Sequence, residues 1–232
     1  VIGSPALNRK GLHAGRIKLA HDLAWSRRRR LASLVTAEDR GKAEADHYGI
    51  RFVKETLTRD NFRRVLDPIV GRGDFVLNVS VDVSSIALIK FAWEKGAMYL
   101  DTCIEPWPGG YTDPGVPAGR RTNYALREDA LALRLGNLQA PTAVLTHGAN
   151  PGLVSHFVKQ AMLNIAQDTG VVVEKAPRSK DDWAALARAL GVKVIHIAER
   201  DTQVSTQRKL PNEFVNTWSV DGFVSEGQQP AE

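Results

Sequence analysis

Short apolar runs alternate along this chain with stretches whose apolar positions recur at helical spacing. Val1–Gly3 reads as the end of a first strand, Gly49–Val53 (GIRFV) as a later one, and Met98–Asp101 and Thr142–Thr146 as two more. Phe75–Val79 (FVLNV) is apolar almost throughout, as befits a parallel strand covered on both faces. Between these runs, Thr58–Val70 predicts a helix capped by Thr58 or Asp60, with Gly71 beyond its end. Further helices are expected from Ser84 to about Lys95 and over Asn123–Leu135, separated by the Pro/Gly-rich loop Glu105–Arg121. This alternation predicts the α/β class, with a doubly wound, Rossmann-like parallel sheet that binds ligands at the carboxyl ends of its strands.

Beyond His147-Gly148-Ala149-Asn150-Pro151-Gly152 the pattern predicts a long helix to about Asp168 and a short one over Trp183–Leu190. Strands are then expected at Val192–Ala198 and Phe214–Trp218, with a third at Val220–Val224. Residues 38–150 are read as the dinucleotide-type domain and residues 151–232 as the start of a second, α+β domain.

Charge changes the picture at one end only. The net charge of +5 suggests an acidic partner, but residues 1–37 hold eight Lys/Arg and one acid, so residues 38–232 carry −2. The basic character belongs to one segment. No apolar run reaches the length of a bilayer span, the single Cys103 has no partner within the chain, and no Cys/His cluster has metal-ligand spacing. A cytoplasmic protein with no metal site and no membrane partner is expected.

Several polar residues fall where strands end. Asn78, Ser80 and Asp82 follow or close the Phe75–Val79 run; they either line a cofactor or cap the next helix. Asp101 and Thr102 end the following strand, and Glu105 comes three residues later, as a site acid or a solvated loop carboxylate. Pro151 at a first helical position would leave Asn150 with a free amide, able to cap the helix or to hold a carboxamide or imine. Near the end, Glu199, Asp201, Glu226, an arginine and Trp218 cluster around the expected strand ends. Carboxylates beside an indole face suit an ammonium ligand, although a solvated charged turn has the same composition. His196 alternates with Val194 and Ala198, which predicts a core histidine, and His147 is read as structural.

The blocks NVSVDVSS (78–85), YLDTCIEPW (99–107), NYALRE (123–128), GANPG (148–152), FVKQ (157–160), IHIAERDT (195–202) and NTWSVDGFVSE (216–226) resemble bacterial homospermidine synthases. These belong to the saccharopine-dehydrogenase-like group of NAD-using enzymes. The resemblance runs from about Gly49 to the end and covers only about the first half of a family member. It implies NAD as cofactor, lying along Asn78, Ser80, Asp82, Thr102, Ala149, Asn150 and Pro151. It implies putrescine or a related diamine as substrate, with Asn150, Glu199 and Trp218 catalytic and Glu105, Trp218 and Glu226 binding the amine. A homodimer is implied for the full-length family, and residues of its second half would be missing here.

The resemblance fails at the N-terminus. Gly3-Ser4-Pro5-Ala6-Leu7-Asn8-Arg9-Lys10-Gly11 lacks the G-x-G-x-x-G loop that brings backbone amides to a pyrophosphate, and Pro5 removes one such amide. Arg27–Arg30 stand where a buried second strand is expected, which makes the first βα unit degenerate. We read residues from about 4 to 36 as a shifted reading frame: plausible codons for Leu7–Leu12, taken one nucleotide later, spell Ser-Ile-Gly-Lys-Gly. The alternative is a basic arm for RNA or anionic lipid, against which the few aromatics and the absence of a long amphipathic face argue. The degenerate loop predicts that this chain alone neither holds a dinucleotide tightly nor turns over.

Overall fold

The computed structural model describes residues 2–3, 32–35, 38–200, 208–213, 215, 223–224 and 227. The chain divides into two compact units, one from Val1–Thr146 with Thr202–Glu232, the other His147–Asp201.

The first unit is built on six parallel strands: β1 (Ile2–Gly3), β2 (Ala32–Val35), β3 (Arg51–Lys54), β4 (Phe75–Val79), β5 (Met98–Asp101) and β6 (Ala143–Val144). Their order, β3-β2-β1-β4-β5-β6, reverses direction between β1 and β4. That is the doubly wound, Rossmann-like α/β arrangement, whose ligand crevice lies outside the carboxyl ends of the strands at the point of reversal. The described helices of this unit are α1 (Glu38–His47), α2 (Phe62–Leu66), α3 (Ser85–Lys95) and α4 (Asn123–Ala132), with a 3₁₀ turn at Ala118–Arg120.

The core lies between the sheet and helices α2 and α3. Four of five β4 residues are buried, as the continuous apolar run requires. In α3 the buried positions Leu88, Ile89, Phe91 and Ala92 pack with Val76 and Tyr99 of the sheet and with Phe62, Val65 and Leu66 of α2. Helix α3 starts at Ser84, whose hydroxyl accepts from the Ala87 N–H at 3.3 Å, and stops at Gly96, which takes a left-handed φ of 69°. Two ion pairs at the surface, Arg63–Glu94 at 2.6 Å and Lys95–Asp67 at 2.7 Å, also tie α2 and its C-cap residue Asp67 to α3. In high dielectric they add little beside the apolar packing.

Several sequence expectations are corrected. The second strand is Ala32–Val35, just after the arginine run rather than at it and inside the stretch read as a shifted frame; β1 falls where the first strand is expected. The helix expected over Thr58–Val70 is confined to Phe62–Leu66. Asn61 folds the residues before it into a turn, its Oδ1 accepting from the Thr58 N–H at 2.8 Å and its Nδ2 donating to the Thr56 carbonyl at 2.9 Å. Helix α4 ends three residues early, and β6 is only two residues long.

In the second unit, α5 (Leu153–Thr169) packs against α6 (Lys180–Ala189) through Met162, Ala166 and Leu186, flanked by Val158, Leu163 and Trp183. Pro151 is not a first helical residue. The Asn150–Pro151 peptide is cis, and the N-cap is Gly152, at a φ of 132° open to glycine and strained for other residues. Asn150 therefore does not cap this helix. Residues 192–198 form no strand, and His196 is exposed rather than in a core. Phe223 and Val224 have helical backbone rather than extended.

Helix α6 opens with a reciprocal cap. The Ser179 hydroxyl accepts from the Asp182 N–H at 3.1 Å, and the Asp182 carboxylate accepts from the Ser179 N–H at 2.9 Å. Ser179→Ala is expected to cost about 1 kcal/mol, read as a lower urea midpoint with an unchanged slope.

Candidate functional site

The carboxyl ends of β4, β5 and β6 carry one hydrogen-bonded polar chain. Parallel register sets Asn78 beside Asp101 on the neighbouring strand. Tyr99 and Asp101, two apart on β5, are both fully buried, and Asn78 is 1% exposed. The Asn78 Oδ1 accepts from the Ser80 N–H at 3.1 Å and from the Ser80 hydroxyl. Its Nδ2 donates to the Tyr99 Oη at 3.2 Å, and the Tyr99 hydroxyl donates to Asp101 Oδ2 at 3.0 Å. The other Asp101 oxygen accepts from the Thr146 N–H at 2.6 Å. Burial pushes the Asp101 carboxyl up from its ordinary value, and hydrogen bonds involving Thr146, Ser85 and Tyr99 pull it partly back. Burial, and then the Asp101 charge, push the Tyr99 hydroxyl well up, so it stays protonated and remains a donor.

One turn away, the first residues of α3 hold Glu105. The Ser85 N–H donates to the Glu105 carbonyl at 2.9 Å, and the Ser85 hydroxyl accepts from the Glu105 N–H at 3.0 Å. This double tie fixes the backbone, while the side chain is buried at 8% exposure. Its Oε2 is buried with no hydrogen-bond partner among the described residues. Desolvation raises the Glu105 pKa to about 8, against the pull of hydrogen bonds from the Asp82 backbone and Cys103; the negative charges of Asp82 and Asp101 push the same way as burial. Near neutral pH this carboxyl is therefore largely protonated. Asp82 itself sits at a left-handed φ of 63°, a conformation that costs a non-glycine residue energy and recurs at functional turns.

Glu105 lines a cleft of about 580 Å3 with Arg59, Ser84, Trp107, Asp113 and Leu126. A neutral acid with an unsatisfied oxygen at the wall of a cleft can donate or accept a proton near neutral pH, or become the counter-charge of an entering cation.

Of the expected site residues, Asn78, Ser80, Asp82, Thr102 and Glu105 fall along the carboxyl edge of the first unit. Asn78, Ser80 and Glu105 are buried there, and Asp82 and Thr102 are half-buried. Asn78 and Ser80 spend polar atoms on each other. Ala149, Asn150 and Pro151 form the turn before α5 in the second unit, where Ala149 and Asn150 are exposed. Glu199 is exposed in the segment after α6. Asp201, Trp218 and Glu226 lie outside the described residues. Sequence reading singled out neither Tyr99 nor Ser85. The signal for Tyr99 was its i, i+2 spacing to Asp101, which puts both side chains on one face of β5.

Comparison with known proteins agrees with this arrangement. The chain is 50% identical over 202 residues to a homospermidine synthase of Blastochloris viridis, covering 86% of this chain and 42% of the relative. A homospermidine synthase of Mesorhizobium japonicum is 44% identical over 204 residues, with the same coverage. The chain thus spans less than half the length of the curated relatives it matches. The crystal structure of a homospermidine synthase from Legionella pneumophila in complex with NAD is similar with a TM-score of 0.74 and 38% identity, covering 99% of this chain and 47% of that one. Residues 19–144 match the family described as the saccharopine dehydrogenase NADP binding domain. That match takes in more than half of the sequence and most of the parallel sheet: the chain belongs to the saccharopine dehydrogenase NADP binding domain family.

Proposed function

We propose that this chain contains the dinucleotide-binding part of a homospermidine synthase, which joins two putrescines into homospermidine with release of ammonia. The observation that carries the reading is the 50% identity to one such enzyme across 86% of the chain, on a sheet whose order matches dinucleotide-binding folds. The residues present fit NAD on the β4 side of the crevice. There the strand closes in a polar turn, Ser80–Ser84, with an unsatisfied buried carboxyl oxygen nearby.

NAD, when bound, accepts a hydride from the amine-bearing carbon of the first putrescine and returns it to the imine that the second putrescine forms as ammonia leaves. The protein's tasks are to hold two cationic amines and to move protons. Glu105 is placed for both. Neutral in the empty cleft, it loses its proton when an ammonium approaches, because the new positive charge reverses the cost of ionisation. Asp82, beside it, adds negative charge. Asn150, Glu199, Trp218 and Glu226 are proposed to complete the amine site, with Thr102, Ala149 and Pro151 along the cofactor. A homodimer and a cytoplasmic location go with the same reading.

Titration with NADH, followed by its fluorescence, tests the cofactor half. Weak but saturable binding that responds to added putrescine is expected, because the glycine loop is degenerate; no binding, or a response only to some other amine, would overturn the reading, and tight binding would overturn the expected effect of the lost loop. Incubation with NAD and putrescine as the sole amine tests the reaction, for which little or no turnover by this chain alone is expected. Any homospermidine formed without net NADH marks the synthase, whereas accumulating NADH marks an ordinary amine dehydrogenase of the same group.

A further inference from the structure

The hydrogen bonds at the strand ends run in one direction, and that direction assigns a role to a residue outside the expected site. The Ser80 N–H can only donate, so the amide oxygen of Asn78 must face it and Nδ2 must face Tyr99. Tyr99 Oη, receiving that N–H, sends its own hydrogen onward to Asp101 Oδ2, and the Ser85 hydroxyl bonds alongside to both. Asp101 also receives the Thr146 N–H, so the chain ends on an acceptor-only carboxylate. Thr146 needs such an anchor: it is β-branched yet held at a left-handed φ of 56°.

We infer that Tyr99 is a positioning residue, whose hydroxyl couples the Ser80 turn after β4 to the Thr146 turn after β6 by fixing Asn78 and Asp101 in a single orientation. Without that hydroxyl the Asn78 amide keeps only its bonds from Ser80 and its buried Nδ2 loses its acceptor, while Asp101 loses one of its donors. Two turns distant in sequence then loosen together. The consequence for ligand binding rests on the dinucleotide reading given above, since these turns edge the crevice. The coupling itself does not.

Tyr99→Phe keeps the buried ring and deletes only the oxygen. Amide exchange at Ser80 and at Thr146 is expected to accelerate about tenfold in this variant, the factor for one buried hydrogen bond. NADH affinity is expected to fall by about the same factor. Ile50→Ala, a change at a buried side chain in the separate cluster with Ala45, serves as the stability control. It is expected to lower the melting temperature while leaving those two amides and the affinity near parental values. Equal exchange acceleration in Ile50→Ala, or unaltered protection of either amide in Tyr99→Phe, would overturn the assignment.

Should Tyr99→Phe not fold, Asp101→Asn asks the same question, because an amide must turn a donor toward Tyr99 or Thr146. The Ser80 amide, which Asp101 does not touch, is expected to exchange faster; if it keeps its protection, the coupling is refuted. A parent chain that fails to bind NADH refutes the dinucleotide reading alone, and the exchange data still decide the role of Tyr99.

Discussion

Glu105→Gln is expected to remove a loss of stability that the parent chain shows as pH rises from about 4.5 to about 8. The ordinary value for this carboxyl is 4.5, and in the folded protein it is raised to about 8. Between those values the folded state holds a proton that the unfolded state has released, so raising the pH favours unfolding. Below about 4.5 both states are protonated and the residue contributes no penalty; above about 8 the folded protein carries a buried, poorly compensated charge. The full span corresponds to roughly 5 kcal/mol as an upper figure, because a shift of one unit is worth about 1.4 kcal/mol and some relaxation accompanies ionisation. Urea midpoints for parent and variant at about pH 5 and about pH 9 check this. The two proteins are expected to lie close at the lower pH, with the variant clearly more stable at the higher. Parallel pH curves would show that Glu105 is solvated after all.

The same burial explains why the sequence reveals this acid only in part. A Glu followed by Pro and Trp reads equally well as a loop carboxylate in water. What desolvates it is non-local: the reciprocal hydrogen bonds with Ser85, twenty residues earlier, and the cleft wall contributed by Trp107, which Phe62 of α2 backs. Resemblance to homospermidine synthases picked out Glu105, Asp82 and Asn78, but it carried no information on which of their atoms are spent inside the protein. Asn78 shows the difference. Its amide is consumed by Ser80 and Tyr99, an outcome fixed by the register of β4 against β5.

The fold is legible where a local pattern has one physical solution. Phe75–Val79 and Met98–Asp101 occur as read, because a short apolar run bounded by polar turns suits a buried parallel strand. Helix α3 begins at Ser84 and ends at Lys95, as read. Legibility fails where tertiary pairing overrides local composition. Val192–Ala198 has the β-branched content of a strand but makes no ladder hydrogen bonds, and Val194 is 79% exposed. Conversely, Ala32–Val35 is too short to stand out beside four arginines, yet it pairs with both β1 and β3. Asn61 shortened α2 through side-chain bonds to the backbone before it, which apolar periodicity does not register.

Phe62→Ala is expected to destabilise the first unit by about 3–5 kcal/mol and, at the same time, to bring the Glu105 pKa down from about 8 toward its ordinary range. Phe62 stands between the core and the cleft. Its ring meets Phe91 of α3 edge-on at 6.2 Å and lies against Trp107 at 5.5 Å, and Trp107 lines the cleft with Glu105. Removing the ring leaves a cavity that the short helix α2 can fill only partly, which accounts for the cost in stability. It also withdraws the support behind Trp107. Water then reaches the Glu105 carboxyl, and because desolvation is the largest cause of its raised pKa, hydration relieves it. Phe62→Leu keeps most of the volume and is expected to cost less and to leave the pKa near 8. Urea denaturation gives the first quantity and a carbon-13 titration of the Glu105 carboxyl gives the second. A Phe62→Ala variant that is strongly destabilised but retains the raised pKa would mean that Glu105 owes its burial to α3 and its own loop alone, and that the aromatic run from Phe91 to Trp107 supports stability without shaping the site.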